Sequence, residues 1–148
     1  MSPTPQADAE LSARLAALGQ RLGEREASHA PGLGDARREA EVLRAQVAGA
    51  LERFHAAAAA AGAPHLRIAL GDVRVDDKHV RAVEFDLVRG RHKAIVTAKS
   101  KGEVTLVGPF RIGKEEGPCL SVPFGARDEI SRALAAFLER FLEEAATP

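Results

Sequence analysis

The chain has 148 residues, with 21 Lys and Arg balanced by 21 Asp and Glu, so its formal net charge at pH 7 is zero. Its hydrophobic fraction of 45% and charged fraction of 28% argue against a chain that is disordered throughout. The charge balance argues against a general binder of nucleic acid or membrane surfaces. We expect a single domain over residues 1–148, because this length can enclose a sizeable core.

Cellular location is predicted from what the sequence lacks. The first ten residues have neither the basic nor the apolar region of a signal peptide. No stretch approaches the roughly 18 consecutive apolar residues that span a bilayer. Cys119 is the only cysteine, so no disulfide can form within one chain. We therefore expect a cytoplasmic protein without a membrane span.

The first predicted element is a helix from about residue 5 to 25. Thr4 suits the N-cap and Pro5 the first helical position. Four leucines then recur at spacings of four, three and four: Leu11, Leu15, Leu18 and Leu22. Such a stripe has the width of a coiled-coil seam and predicts a helix that pairs with another helix.

A second helix is predicted from Ala36 to about Ala61, after a loop over 27–34, with Asp35 as N-cap and Gly62 as C-terminal stop. Some 26 helical residues span roughly 39 Å, whereas a typical strand spans about 17–20 Å. The helix is therefore longer than a sheet alone would cover. We expect residues 5–62 to form a helical hairpin whose remaining surface projects or pairs with a second copy. A self-contained monomer is the alternative.

The segment 64–124 is predicted to be antiparallel sheet, with a hairpin over 83–98 at its centre. Apolar and polar residues alternate on both sides of Gly90–Arg91, and glycine at the first loop position indicates a type II′ turn. Closing the hairpin there places Leu87 opposite Ala94, and the two neighbouring apolar pairs follow on the same face. Turn type and hydrophobic pattern thus predict one register and one core face.

The other predicted strands are shorter. The first is predicted over 66–70, and Gly71–Asp72 interrupts its phase and indicates a bulge. Gly108–Pro109 is expected to end a strand over 104–107. The segments 110–112 and 120–122 are expected to pair with each other at a sheet edge or to lie in irregular structure.

A third helix is predicted over 126–146, with a broad apolar stripe that should pack on the Phe85 face of the sheet. The stripe comprises Ile130, Leu134, Phe137, Leu138, Phe141 and Leu142. The predicted fold class is therefore α+β: an N-terminal helical hairpin, an antiparallel meander of four to six strands, and a C-terminal helix on the sheet.

Catalytic and metal-binding motifs do not emerge from the sequence. It contains no phosphate-binding glycine loop, no nucleophile elbow and no zinc-protease motif. Asp76, Asp77 and His79 cluster in a polar turn, which is favoured over a divalent-ion site. Cys119 is interpreted as a partly buried structural thiol and Glu115–Glu116 as a solvated turn. We predict no catalytic residue, no metal and no cofactor, and lean against an enzyme.

Charge is unevenly distributed along the chain. Residues 64–114 carry a net charge of +5, and residues 115–148 carry −4. Mutual neutralisation of sheet and C-terminal helix is the favoured interpretation, and binding of an anionic partner is the alternative. Six basic residues at one hairpin end and in the late loop are the candidate anion-binding residues: Arg89, Arg91, His92, Lys93, Arg111 and Lys114.

The favoured function is a non-enzymatic interaction or assembly module that forms a homodimer or binds another protein. Six apolar residues of the first two helices are the predicted self-association residues: Leu11, Leu15, Leu18, Leu22, Val47 and Leu51. The first alternative is a binder of an anionic ligand or nucleic acid, although few aromatic residues remain free for base stacking. A small-molecule enzyme is the second alternative.

Overall fold

The computed structural model describes residues 4–28, 30–76, 81–114 and 117–147. These ranges contain three helices, α1 (Pro5–Ala27), α2 (Ala30–Ala60) and α3 (Arg127–Ala146). They contain six strands: β1 (Ala69–Leu70), β2 (Arg74–Val75), β3 (Ala82–Arg89), β4 (His92–Lys99), β5 (Glu103–Arg111) and β6 (Cys119–Pro123).

The chain divides into two compact units, Met1–Pro31 and Gly32–Pro148. The α+β fold class is confirmed, with an antiparallel sheet and a C-terminal helix packed on it. The pairing of α1 with α2 and the single domain over 1–148 stay predictions. No helix in the described ranges combines the length and the apolar character that crossing a bilayer requires.

The six strands form one antiparallel sheet in the order β1-β3-β4-β5-β6, with β2 also paired to β3. The central hairpin has the predicted register, with Leu87 opposite Ala94 and the neighbouring pairs in step. Gly90 has φ of +58°, and no described non-glycine residue has a positive φ. These dihedrals fit a type II′ turn, because type I′ would need a positive φ at Arg91 as well.

The predicted bulge at Gly71–Asp72 is also confirmed. Leu70 stands opposite Leu87 and Arg74 opposite Glu84, so three residues of the edge segment oppose two residues of β3. A Cβ at Gly71 would lie 2.2 Å from Oδ1 of Asp86, which explains the glycine at this close approach.

The prediction that Gly108–Pro109 ends a strand is wrong. β5 continues from Glu103 to Arg111, and its register on β4 shifts by one residue beside this dipeptide. Gly108 has φ of +111°, a value that glycine adopts without the strain a side chain would cause. The expected pairing of 110–112 with 120–122 is wrong as well, because β6 pairs with residues 103–107 of β5.

The predicted loop over 27–34 is wrong, because α2 already begins at Ala30 and Asp35 is not its N-cap. Pro31 fits the first helical turn, where no backbone donor is lost. Gly32 lies so close to the sheet that an added Cβ would be 2.4 Å from the carbonyl oxygen of Ser100. Packing thus overrides the low helix propensity of glycine. The end of α2 is as predicted, with Gly62 at φ of +99°.

Helices α2 and α3 contribute to one core together with the inner face of the sheet. Leu43 of α2 and Phe141 of α3 are fully buried in the same cluster as Phe85 of β3. Arg127 at the start of α3 forms an ion pair of 2.5 Å with Glu39 of α2. The predicted packing of the third helix on the Phe85 face is therefore confirmed.

Candidate interaction surface

Helix α1 exposes the leucine stripe, which we define as Leu11, Leu15, Leu18 and Leu22. Their exposed fractions are 58%, 59%, 39% and 44%. No residue of α1 is buried. An aligned row of exposed leucines on one helix is an apolar surface of the kind that marks an interaction site.

Local capping interactions define both ends of α1. Thr4 is the N-cap as predicted, and its Oγ1 accepts a hydrogen bond of 3.2 Å from the backbone N–H of Ala7. At the other end, the Oγ of Ser28 donates to the carbonyl oxygen of Arg25 at 2.6 Å. Gln20 also donates to Glu24 one turn further along. These contacts are all within α1 and its caps, and they bury no residue of the helix.

Two of the predicted self-association residues lie elsewhere. Val47 is fully buried and Leu51 is 4% exposed, and both belong to the core between α2 and the sheet. Their side chains are therefore unavailable to a second copy of the folded chain. The pattern of α2 was correctly interpreted as apolar, but its face is covered by the sheet. The candidate interaction surface is thus limited to the leucine stripe.

Four of the six candidate anion-binding residues line one cavity. This cavity has a volume of about 350 Å³ at the turn end of the β3–β4 hairpin. Its basic lining residues are Arg89, Arg91, His92 and Arg111. The strand register explains the convergence, because His92 of β4 pairs with both Arg89 of β3 and Arg111 of β5.

The other two candidates are not part of this group. Lys93 is on the opposite face of the sheet, where its Nζ lies 3.5 Å from Oδ2 of Asp86. This is the diagonal pair that the hairpin register implies. Lys114 is exposed in the turn after β5, and its backbone N–H donates to the carbonyl oxygen of Arg111.

The C-terminal end of α3 lies beside the basic cavity. Arg89 donates a hydrogen bond of 2.5 Å to the carbonyl oxygen of Ala145, in the last turn of α3. A neighbouring cavity of about 570 Å³ is lined by His92 and Arg111 together with Glu143 and Glu144. The helix macrodipole adds partial negative charge at the same place. These basic side chains therefore interact with the C-terminal end of α3, in addition to any anion that they bind.

The residues considered for metal binding or catalysis lie partly outside the described ranges. Within the described residues, no group of three or more His, Cys, Asp and Glu side chains is placed to hold a metal ion. Asp77 and His79 of the predicted turn cluster lie outside the described residues, as does the Glu115–Glu116 pair. Cys119 is exposed on β6, at the edge of the sheet, so the predicted partial burial of this thiol is wrong.

His55 has a structural role that the sequence analysis missed. Its Nε2 accepts a hydrogen bond of 2.9 Å from the backbone N–H of Ile68, which joins α2 to the segment leading into β1. Burial, and then the nearby positive charge of Arg67, lower the pKa of His55 below its ordinary value of 6.5. The available signal was its position four residues after Leu51, on the covered face of α2.

Comparison with known proteins adds no functional information: no family model, no curated protein and no solved structure matches this chain.

Proposed function

We propose that this protein is a non-enzymatic interaction or assembly module that self-associates through the leucine stripe of α1. The observation that supports the proposal is the exposure of all four leucines, between 39% and 59%, on a helix without a buried residue. In proteins, most of the stability of a helix comes from packing of its apolar face rather than from intrinsic helix propensity. A partner that covers the stripe supplies that packing.

The magnitude of the effect predicts a reversible assembly. Full burial of a leucine side chain is worth roughly 1.5–3 kcal/mol. Eight leucines from two copies, already about half shielded, would contribute on the order of 10 kcal/mol. Association itself costs roughly 4–15 kcal/mol in lost freedom. The free energy gained by burying the leucines is similar to the free energy lost on association. The fraction of assembled protein should therefore depend on concentration, and the loss of any one pair of leucines should weaken the assembly.

The direct test introduces charge into the stripe. We expect Leu15→Glu plus Leu18→Glu to abolish association, because four carboxylates would then have to be buried in the assembly. The matched control is Ala13→Glu plus Ala16→Glu, which adds the same charge at the same spacing on the opposite side of α1. Light scattering over a range of concentrations measures the mass of both variants. An unchanged mass for the stripe variant, or equal losses in both, would contradict the proposal.

Binding of a small anion is the second candidate function, and the convergence of four basic residues on one cavity supports it. The test uses inorganic pyrophosphate as the probe, with affinity measured at rising salt concentration. Arg91→Ala plus Arg111→Ala should weaken binding and flatten its salt dependence. Lys101→Ala plus Lys114→Ala removes equal charge outside the cavity and should not. Equal effects of the two variants would exclude a defined site. A cytoplasmic location stays a prediction from the sequence.

A further inference from the structure

A charged residue continues the helical spacing of the leucine stripe at each of its two ends. Three residues before Leu11 is Asp8, and three residues after Leu22 is Arg25, so the helical spacing continues through six positions. Asp8 lies in the first turn of α1 and Arg25 in the last, and both are exposed. Neither forms an ion pair in the described part of the chain. The six positions alternate as a and d of a heptad pattern.

The pattern of these six positions is complementary to the same pattern on a second α1 helix that runs in the opposite direction. If two copies of α1 run in opposite directions, Leu11 faces Leu22 and Leu15 faces Leu18 of the second copy. The same alignment places Asp8 opposite Arg25 at both ends of the seam. If the copies run in the same direction, Asp8 faces Asp8 and Arg25 faces Arg25, and both pairs repel. Charge complementarity thus selects the second copy as the partner and fixes its direction.

The residues that border the seam carry a smaller opposing preference. Arg14 and Arg21 lie on one border of the stripe, where antiparallel helices bring them near each other and parallel helices bring Arg21 near Glu26. Charges at the borders stay in water, where ion pairs contribute little. Charges in the seam meet directly and lose solvent as the helices close, so their repulsion is more costly. The seam therefore determines the direction.

We propose that two copies of the chain associate through an antiparallel pair of α1 helices, with four leucine layers closed at each end by Asp8 of one copy and Arg25 of the other. This inference rests on the proposed function and specifies its partner and geometry. The interface is isologous, because each residue contact occurs twice about a two-fold axis.

A charge-exchange cycle tests the geometry. The single variants Asp8→Arg and Arg25→Asp each replace two attractive pairs with two repulsive ones, and each should raise the dimer Kd about tenfold. The double variant Asp8→Arg plus Arg25→Asp restores both pairs with reversed sign and should return the Kd to near the wild-type value. Both single variants weaken the helix-dipole interactions of α1, and the double variant weakens them most. Recovery in the double variant is therefore specific to antiparallel pairing.

Sedimentation equilibrium gives the Kd of all four proteins, with Leu15→Glu plus Leu18→Glu as reference. Equal Kd values across the cycle, together with loss of dimer in the reference, would overturn the antiparallel geometry and leave the stripe as the interface. A double variant as weak as the single ones would overturn it too. A wild-type chain that stays monomeric would instead contradict the proposed function itself.

Discussion

Helices α1 and α3 both carry large apolar residues at spacings of three and four, but only one of the two stripes is covered. In α3, Ile130, Leu134, Phe137 and Phe141 are between 0% and 8% exposed against the sheet. In α1, the four leucines are between 39% and 59% exposed. The pattern identifies an amphipathic helix in both cases. What covers the stripe depends on the rest of the molecule, and the uncovered stripe is the one available to a partner.

The largest expected contrast comes from the same substitution in each helix. Leu134→Ala should lower the free energy of unfolding by roughly 2–5 kcal/mol, because it opens a cavity in the core. Leu15→Ala should change the free energy of unfolding by less than about 0.5 kcal/mol in dilute protein, because the Leu15 side chain is exposed and the substitution opens no cavity. Urea denaturation at low concentration measures both. Similar losses would show that α1 is covered in the folded chain.

Two glycines extend the comparison to α2, which lies against the sheet on one side only. Gly32→Ala should destabilise the protein by about 1–3 kcal/mol, because the new Cβ would meet the Ser100 carbonyl oxygen. Gly49 has no atom within 4 Å of such a Cβ. Gly49→Ala should stabilise by about 0.5–1 kcal/mol, since alanine is the better helix former. The two variants should therefore have opposite signs in thermal or urea denaturation, and a shared sign would contradict the placement of α2.

The smallest expected effect is on the pH dependence of the free energy of unfolding, through His55 on the covered side of α2. Because the pKa of His55 is lowered in the folded state, the unfolded chain binds a proton first as pH falls. The contribution of His55 is fully present above its ordinary pKa of 6.5 and is lost as pH falls through the lower folded value. Between about pH 7.5 and 5.5, the wild type should thus lose more stability than His55→Gln. The same loss in both proteins would contradict this role, and His65→Gln, at an exposed position, is the control.

The sequence predicted the central hairpin fully because two independent signals agreed there. The glycine turn and the alternation around Phe85 both require one register, and β3–β4 has it. The start of α2 was missed because Pro31, Gly32 and Gly34 resemble a loop, and only contact with Ser100 shows why glycine lies in a helix. The course of β5 was missed because the bulge at Gly108 allows the strand to pass a proline.

The sequence predicted the residues of the candidate sites but not the tertiary contacts that cover them or bring them together. Periodicity finds apolar faces, so the stripe of α1 was visible, but it does not tell whether a face such as that of Val47 and Leu51 is already covered. Charge counts found the basic residues, but their convergence depends on the pairing of His92 with Arg111. That pairing lies beyond the bulge, where the predicted strand had already ended.

Native mass spectrometry of the wild-type chain, under mild ionisation and at several protein concentrations, tests the central claim most directly. We expect a species of twice the 15.7 kDa chain mass, without added mass, whose share rises with concentration. Such a result would support self-association as the function of the exposed stripe. A single-chain mass at every concentration, or a single chain carrying a small anion, would contradict it and favour the basic cavity instead.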